Sequence, residues 1–403
     1  MKSVGVVGNT VVASPLEILE GKSDTGPAHD VITSEFWTSG QRQGSNLHEV
    51  SYRACFKPQL PEYFIERFSE LNDLIYDPFA GRGTTAIQAA LMGRRIASND
   101  VNPLSTIFTR ARLNIPEVDQ IVLRLEQIPR LGSAVCDIDL SMFYDSATLQ
   151  ELLQMRRYFA TRKAESTFDS VDEWIQMVAL SRLTGHSPGF FSVYTLPPNQ
   201  AVSPQRQRKI NLDREQVPSY RDTHKLIVKK SRQLLKGISE SDLSNISRAA
   251  ESAQFSNFPA ASTPNISSNS VSLTVTSPPF LDVVQYADDN WLRAWFAEFD
   301  MDKVGAKITM AKTLDEWSKS MSAVMAELFR VTKPGGYVAF EVGEVRNGKV
   351  RLEDAVLPVA VENGFSIHSV LVNDQAFTKT ANIWGVSNNS KGTNTNRIVV
   401  LKK

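Results

Sequence analysis

The chain has 403 residues, with 44 Lys and Arg against 44 Asp and Glu, and a formal net charge of zero. That balance excludes a globally basic nucleic-acid binder, so any basic surface must be local. Two distant cysteines, Cys55 and Cys136, give neither a disulfide framework nor metal-ligand spacing, so no metal is expected. The length allows one large or two modest domains with a sizeable core. No apolar run approaches bilayer length, the stretch Val4-Gly5-Val6-Val7 lacks the layout of a signal peptide, and a reduced, cytoplasmic compartment fits.

In chain order, residues 1–30 read as weakly ordered, and residues 36–46 as a polar, glycine-rich loop around Phe36 and Trp37. Residues 62–69 read as a helix with Phe64, Ile65 and Phe68 on one side. The apolar run Leu74-Ile75-Tyr76 then reads as a buried strand. It leads into Asp77-Pro78-Phe79-Ala80-Gly81-Arg82-Gly83-Thr84-Thr85, where Gly81 and Gly83 permit a tight turn and close approach of a ligand. Residues 85–92 follow as a helix, and residues 95–98 as a second strand ending at Asn99-Asp100. A strand, a glycine turn and a helix start is how α/β sheets build nucleotide sites, and an acid about 20 positions on can accept bonds from ribose hydroxyls.

Asn102-Pro103 turns the chain, and residues 105–130, 143–158 and 171–183 read as three helices. Residues 182–191 and 196–200 read as irregular, with His186 a structural histidine. Residues 203–236 hold ten basic and three acidic residues, a local net charge of +7 in a neutral chain. Phosphate neutralisation is the commonest use of such a stripe, and a solvated helix face is the plain alternative. Residues 239–270, rich in Ser, Asn and Ala, read as a linker with a short strand near Ala253-Gln254-Phe255.

The β-branched run Val271-Ser272-Leu273-Thr274-Val275 reads as a buried strand that delivers Thr276-Ser277-Pro278-Pro279-Phe280 at its carboxyl end, where open α/β sheets bind ligands. Residues 312–331 read as a helix, Lys333-Pro334-Gly335-Gly336 as a turn and residues 337–342 as a strand. Residues 357–363 read as a helix stopped by Gly364, followed by a strand over 367–372. A polar excursion over 377–397 precedes the last strand, 397–401.

Two of these stretches carry a family resemblance. Residues 77–85 resemble motif I of the S-adenosylmethionine-dependent amino-methyltransferases of DNA, and residues 276–280 resemble their catalytic motif IV. The form with Ser before Pro-Pro is most often that of the cytosine-N4 branch. The likeness spans residues 52–109 and 271–403 and covers the middle far less well. It implies an α/β fold with a Rossmann-like methyltransferase sheet, mostly parallel with the last strand antiparallel, interrupted by a helical and irregular insertion. The implied division is an N-terminal extension over 1–45, a cofactor half over 46–110, a target-recognition insertion over 111–240 and a catalytic half over 241–403.

The resemblance also assigns roles. The cofactor S-adenosyl-L-methionine would meet Asp77, Pro78, Phe79, Gly81, Gly83, Thr84 and Thr85, with Asp100 on the ribose and Asn102 beside the adenosine. Lys57 and nearby backbone amides would hold its carboxylate. The family usually has an Asp at the end of its third strand, near the adenine; this chain has Glu251-Ser252 there instead. Transfer to an exocyclic amine needs acceptors at its two hydrogens, because its lone pair is delocalised into the ring. The Ser277 hydroxyl and Pro278 carbonyl suit that role, Pro278 and Pro279 hold the loop rigid, and Phe280 can stack an extruded base. The expected activity is therefore methylation of double-stranded DNA, at cytosine N4 first, within a modification system that can have a partner nuclease. Adenine N6, RNA, or a non-catalytic nucleic-acid binder on the same scaffold are the alternatives.

Overall fold

Every residue of the strand Leu74–Asp77 is buried, and the chain builds its sheet outward from that strand. The computed structural model describes residues 18–19, 30–34, 36, 44–52, 55–132, 135–195, 201–280, 286–307, 311–345, 350–374 and 395–403. The elements, in order, are β1 (Ile18–Leu19), β2 (Asp30–Ser34), a 3-10 turn (Asn46–His48), α1 (Gln59–Phe68), β3 (Leu74–Asp77), α2 (Thr84–Leu91), β4 (Arg95–Asn99), α3 (Pro103–Leu113) and α4 (Val118–Gln127). Then come α5 (Ser146–Ala164), α6 (Ser170–Arg182), α7 (Pro204–Asp213), α8 (Thr223–Leu235), α9 (Glu240–Glu251), β5 (Gln254–Ser256), β6 (Val271–Thr276), α10 (Tyr286–Ala297) and α11 (Met301–Gly305). The chain closes with α12 (Leu314–Val331), β7 (Thr332–Val342), the small hairpin β8 (Glu344–Val345) and β9 (Val350–Arg351), α13 (Leu352–Glu362), β10 (Ser366–Asp374) and β11 (Thr395–Lys402).

Among the described residues, nine strands form one sheet in the order β1-β2-β10-β11-β7-β6-β3-β4-β5. The run from β7 through β6, β3 and β4 to β5 is parallel, and β11 lies antiparallel between β10 and β7. This is the Rossmann-like sheet expected, with its last strand reversed. The order turns back between β3 and β6, so their carboxyl ends flank the switch point where such sheets bind ligands. Successive residues of β3 point to opposite faces: Ile75 joins one apolar core, Leu74 and Tyr76 the other. Both faces are covered, which is why β3 reads as an unbroken run, and why all six residues of the alternating β6 are buried.

The first core unites Ile75, Ile87 and Phe108 with Ile121, Leu152, Trp174 and Ile227, so the helices of 111–240 share a core with the sheet. Trp174 Nε1 donates to Ser231 Oγ at 2.9 Å, joining α6 to α8. The second core packs α12 and α13 on the opposite face through Trp317, Met325, Leu328, Leu352 and Val356.

Several sequence expectations are corrected. Residues 105–130 are two helices, because Pro116 has no N–H to continue α3 and disfavours a helical residue before it. A capping box of Glu117 and Gln120 then starts α4. The supposed linker 239–270 contains α9, started by a capping box of Ser239 and Asp242, with Ile246 and Ala249 buried. Lys333-Pro334-Gly335-Gly336 is not a separate turn but the irregular start of β7, with Gly335 at φ 76° and a register shift against β6. Residues 30–34, assigned to an extension, form a strand parallel to β10. The stretches 196–200 and 377–394, and Trp37, lie outside the described residues.

The α9 correction is checkable. Ile246→Ala should destabilise the chain by about 2–4 kcal/mol, as a buried large-to-small change does. Urea unfolding that shows no change would restore the linker.

Candidate active site

At the carboxyl end of β3 the buried Asp77 accepts from Phe79 N at 3.1 Å and from Thr276 Oγ1, at the end of β6, at 2.6 Å. Burial raises its carboxyl to about 7. The turn that follows has Gly81 at φ 51° and Gly83 at φ 77°, both left-handed. Asp100, just past β4, accepts from Gly81 N at 2.8 Å through one oxygen and from Asn102 N at 2.9 Å through the other. Burial pushes its carboxyl up to about 6. Asn99 joins three strand ends: its Nδ2 donates to the Pro78 and Phe258 carbonyls, and its Oδ1 accepts from Ser256 Oγ. Asn102 caps α3 by accepting from Leu104 N, and donates to the Tyr52 hydroxyl at 3.2 Å.

The wall facing this turn is residues 47–52 and 55–56, held by arginines that donate to its main-chain carbonyls. Arg112 Nη1 reaches Leu47 O at 3.0 Å, Arg293 Nη2 reaches Ser51 O at 3.1 Å, and Arg82 reaches Val50 O and Phe56 O. Arg112 Nη2 also bonds Arg82 O. The brace turns Tyr52, Cys55 and Phe56 into the cleft. Burial pushes the Cys55 thiol up, so it stays protonated at neutral pH.

The loop after β6 is fixed residue by residue. Thr276 is bonded to Asp77, and Trp317 Nε1 of α12 donates to Pro279 O at 2.9 Å. Ser277 stands beside the buried carboxyl of Glu341, near the end of β7, and its hydroxyl partly offsets the burial that raises that carboxyl's pKa. Glu341 also accepts from Asn396 Nδ2 of β11 at 2.7 Å, and burial raises it to about 7. The Phe280 ring packs over Gly343, where a Cβ would stand 3.0 Å from its edge.

One cleft collects Pro78, Phe79, Gly81, Thr84, Asp100, Asn102, Ser277 and Pro279 from the expected set, so both motifs face the same space. Its lining does not include Lys57, Asp77, Gly83, Thr85, Pro278 or Phe280. Lys57 is half-buried just ahead of α1, with its ammonium pKa lowered by burial. Thr85 Oγ1 donates to Val275 O at 3.0 Å, bracing β6. Gly83 is needed for internal packing: a Cβ there would collide with Thr109 Oγ1 on α3. Glu251 ends α9 and is exposed; the residues that enter the cleft after β5 are Pro259, Ala260 and Ala261, none of them acidic. Sequence reasoning missed Tyr52, Cys55, Trp317 and Glu341. Only Glu341 left a local signal, an acid inside the apolar strand run Phe340-Glu341-Val342.

The basic stripe is also not one face. Lys230 is buried, lies 3.6 Å from Glu49 and has its pKa lowered to about 8 by burial. Lys225 is bridged to Asp222 and Arg208 to Asp139, leaving Arg206, Lys209, Lys229, Arg232 and Lys236 among the exposed cations. No helix among the described residues is long and apolar enough to cross a membrane, and these residues contain no cluster of His, Cys, Asp and Glu that could hold a metal.

Gly83→Ala should lower the unfolding midpoint, not only ligand affinity, because the clash lies within the protein. Adding Thr109→Ala should recover part of the loss in thermal melts. Full stability of the single variant would return Gly83 to a purely ligand-facing role.

Comparison with known proteins gives this geometry a context. A family of N6/N4 amino-methyltransferases, described as DNA methylase, matches residues 13–109. The Type II methyltransferase M.MjaII of Methanocaldococcus jannaschii is 34% identical over 84 residues, 21% of this chain and 16% of that protein. The Type II methyltransferase M.MvaI of Kocuria varians is 26% identical over 140 residues, 33% of this chain and 27% of that protein. The chain thus aligns with about a quarter or less of the length of these relatives. A SAM-dependent methyltransferase from Methanosarcina mazei has a TM-score of 0.34 at 10% identity, covering 84% of this chain and 96% of that one. The segment holding the glycine turn therefore carries the sequence signature of the amino-methyltransferases of DNA.

Proposed function

We propose that this protein transfers a methyl group from S-adenosylmethionine to an exocyclic amine of a base in DNA, with cytosine N4 as the target. The observation that carries the reading is the Ser277–Glu341 pair beside the cleft floored by Gly81 and Asp100. The residues fit the cofactor. Asp100 uses its oxygens on two backbone N–H groups and keeps lone pairs for ribose hydroxyls. Phe79, Pro259, Met321 and Val324 offer an apolar slot for a flat purine. The bound cofactor would supply an electrophilic methyl group.

The amine must lose a proton as it is alkylated. Ser277 Oγ can accept an amine N–H while its own proton is drawn to Glu341. The Trp317 indole occupies Pro279 O, so the second amine hydrogen falls to the Pro278 carbonyl. Phe280, backed by Gly343, can stack the extruded base. The Ser form of the loop and the family's two chemistries leave adenine N6 as the second reading.

Single-turnover transfer of labelled methyl to DNA tests the assignment. The rate should rise with pH through about 7 as Glu341 ionises, and Glu341→Gln should be slow and lack that rise. Ser277→Ala should lower the transfer rate by about 10²-fold or more, with cofactor affinity unchanged. Ser277→Ala transferring at full rate would remove the loop from the chemistry. Stability should move in a defined sense too. The Glu341 carboxyl ionises near 4.5 when unfolded and near 7 when folded, so its burial costs stability progressively across that window. Glu341→Gln should therefore gain stability over wild type at pH 8 relative to pH 4.5.

A further inference from the structure

We infer that α7 is the helix that reads DNA sequence, an inference that rests on the methyltransferase reading and names the element that chooses its site. Most helices of this fold are held by apolar faces. α7 is mostly polar: its one buried residue is an amide, Gln207, and the half-buried Ile210 is its contact with the apolar core. An amide network supplements that contact. Gln207 Nε2 and Gln216 Nε2 both donate to Tyr194 O and to Asn211 Oδ1, at 2.7–3.0 Å, and Asn211 Nδ2 donates to Met142 O at 2.8 Å. Fixed on that side, α7 presents Gln205, Arg208, Lys209 and Leu212 at i, i+3, i+4 and i+7, all exposed.

That outward face has the chemistry of major-groove readout. Gln suits adenine, Arg and Lys suit guanine, and an apolar side chain suits the thymine methyl. Leu212 is 79% exposed on the outward face of α7, which a solvated face does not require. The Arg208–Asp139 bridge joins two half-exposed side chains and is weak enough to be exchanged for a base or phosphate. The helix is also tied to the active-site side of the molecule. Ala201 N donates to Asp289 O at 3.1 Å and Trp291 Nε1 to Val202 O at 3.3 Å, anchoring the entry to α7 on α10, the helix that follows the Ser277–Phe280 loop. A base held at the loop and a groove read by α7 would then belong to one duplex.

The test selects bound duplexes from a randomised pool, using wild type and a Gln205→Ala/Lys209→Ala/Leu212→Ala variant. None of these residues lies in the cleft, and all are exposed, so folding should survive; equal melting temperatures check this. Wild type should enrich a short sequence, and the variant should lose preference at one or more of its positions by roughly tenfold or more. Identical enrichment by the two proteins overturns the inference. So does an equal loss of affinity for selected and scrambled duplexes, which would make α7 a phosphate contact only. Mapping methylated positions separates this from the activity reading. Wild type that enriches a sequence and methylates nothing sinks the proposed activity while leaving α7 as the reader.

Discussion

The buried hydrogen bond from Thr276 Oγ1 to Asp77 Oδ1 fixes the geometry on which the proposed chemistry depends. It joins the carboxyl ends of two adjacent parallel strands whose residues are 199 positions apart in sequence. On one side of the bond the chain enters the glycine turn, and on the other it enters Ser277-Pro278-Pro279-Phe280. Any slip between β3 and β6 would therefore move a would-be methyl donor relative to its acceptor, and sub-ångström errors are costly in transfer reactions. A buried carboxyl is an expensive fastener, since desolvation opposes its charge. Its raised pKa is the sign of that cost. An apolar contact would be cheaper but would not set direction, whereas a hydrogen bond does.

The remaining walls use the same strategy of polar groups fixed by the main chain. Arg82, Arg112 and Arg293 reach the carbonyls of Leu47, Val50, Ser51 and Phe56, so a segment with little regular structure is held as a wall. Burial, and then the positive field of Arg112 and Arg82, holds His48 neutral with a pKa lowered to about 3. Asn99 does the same for the far side, tying the ends of β3, β4 and the segment after β5. In the proposed chemistry Ser277 is the proton-bearing group among these fixed neighbours, with Glu341 behind it.

The sheet was legible because β3 is a continuous apolar run and β6 an alternating, β-branched one, each followed by residues with marked conformational limits, Gly in one case and Pro-Pro in the other. Asp100 was legible from its spacing to the glycine turn. Glu341 and Trp317 were not, because they reach the loop from elements that only the folded sheet brings alongside. Gly83 was read as ligand-facing because sequence cannot distinguish a ligand from Thr109 as the neighbour that excludes a side chain. α9 was hidden because Ile246 and Ala249 are too sparse to give a period, and its start depends on the Ser239–Asp242 cap. Lys230 sits in the basic run by sequence and in the core by structure, since charge runs carry no information about which face a helix buries.

The most direct measurement is the identity of the modified base. Double-stranded DNA incubated with the protein and labelled S-adenosylmethionine is digested to nucleosides and resolved by mass. The account predicts N4-methylcytosine as the labelled product, absent with Ser277→Ala. N6-methyladenine would keep the cleft and the Ser277–Glu341 pair but move the target to the other amine. Label in no nucleoside of DNA or RNA, with cofactor shown to bind, would contradict amine methylation of a base as the function of this fold.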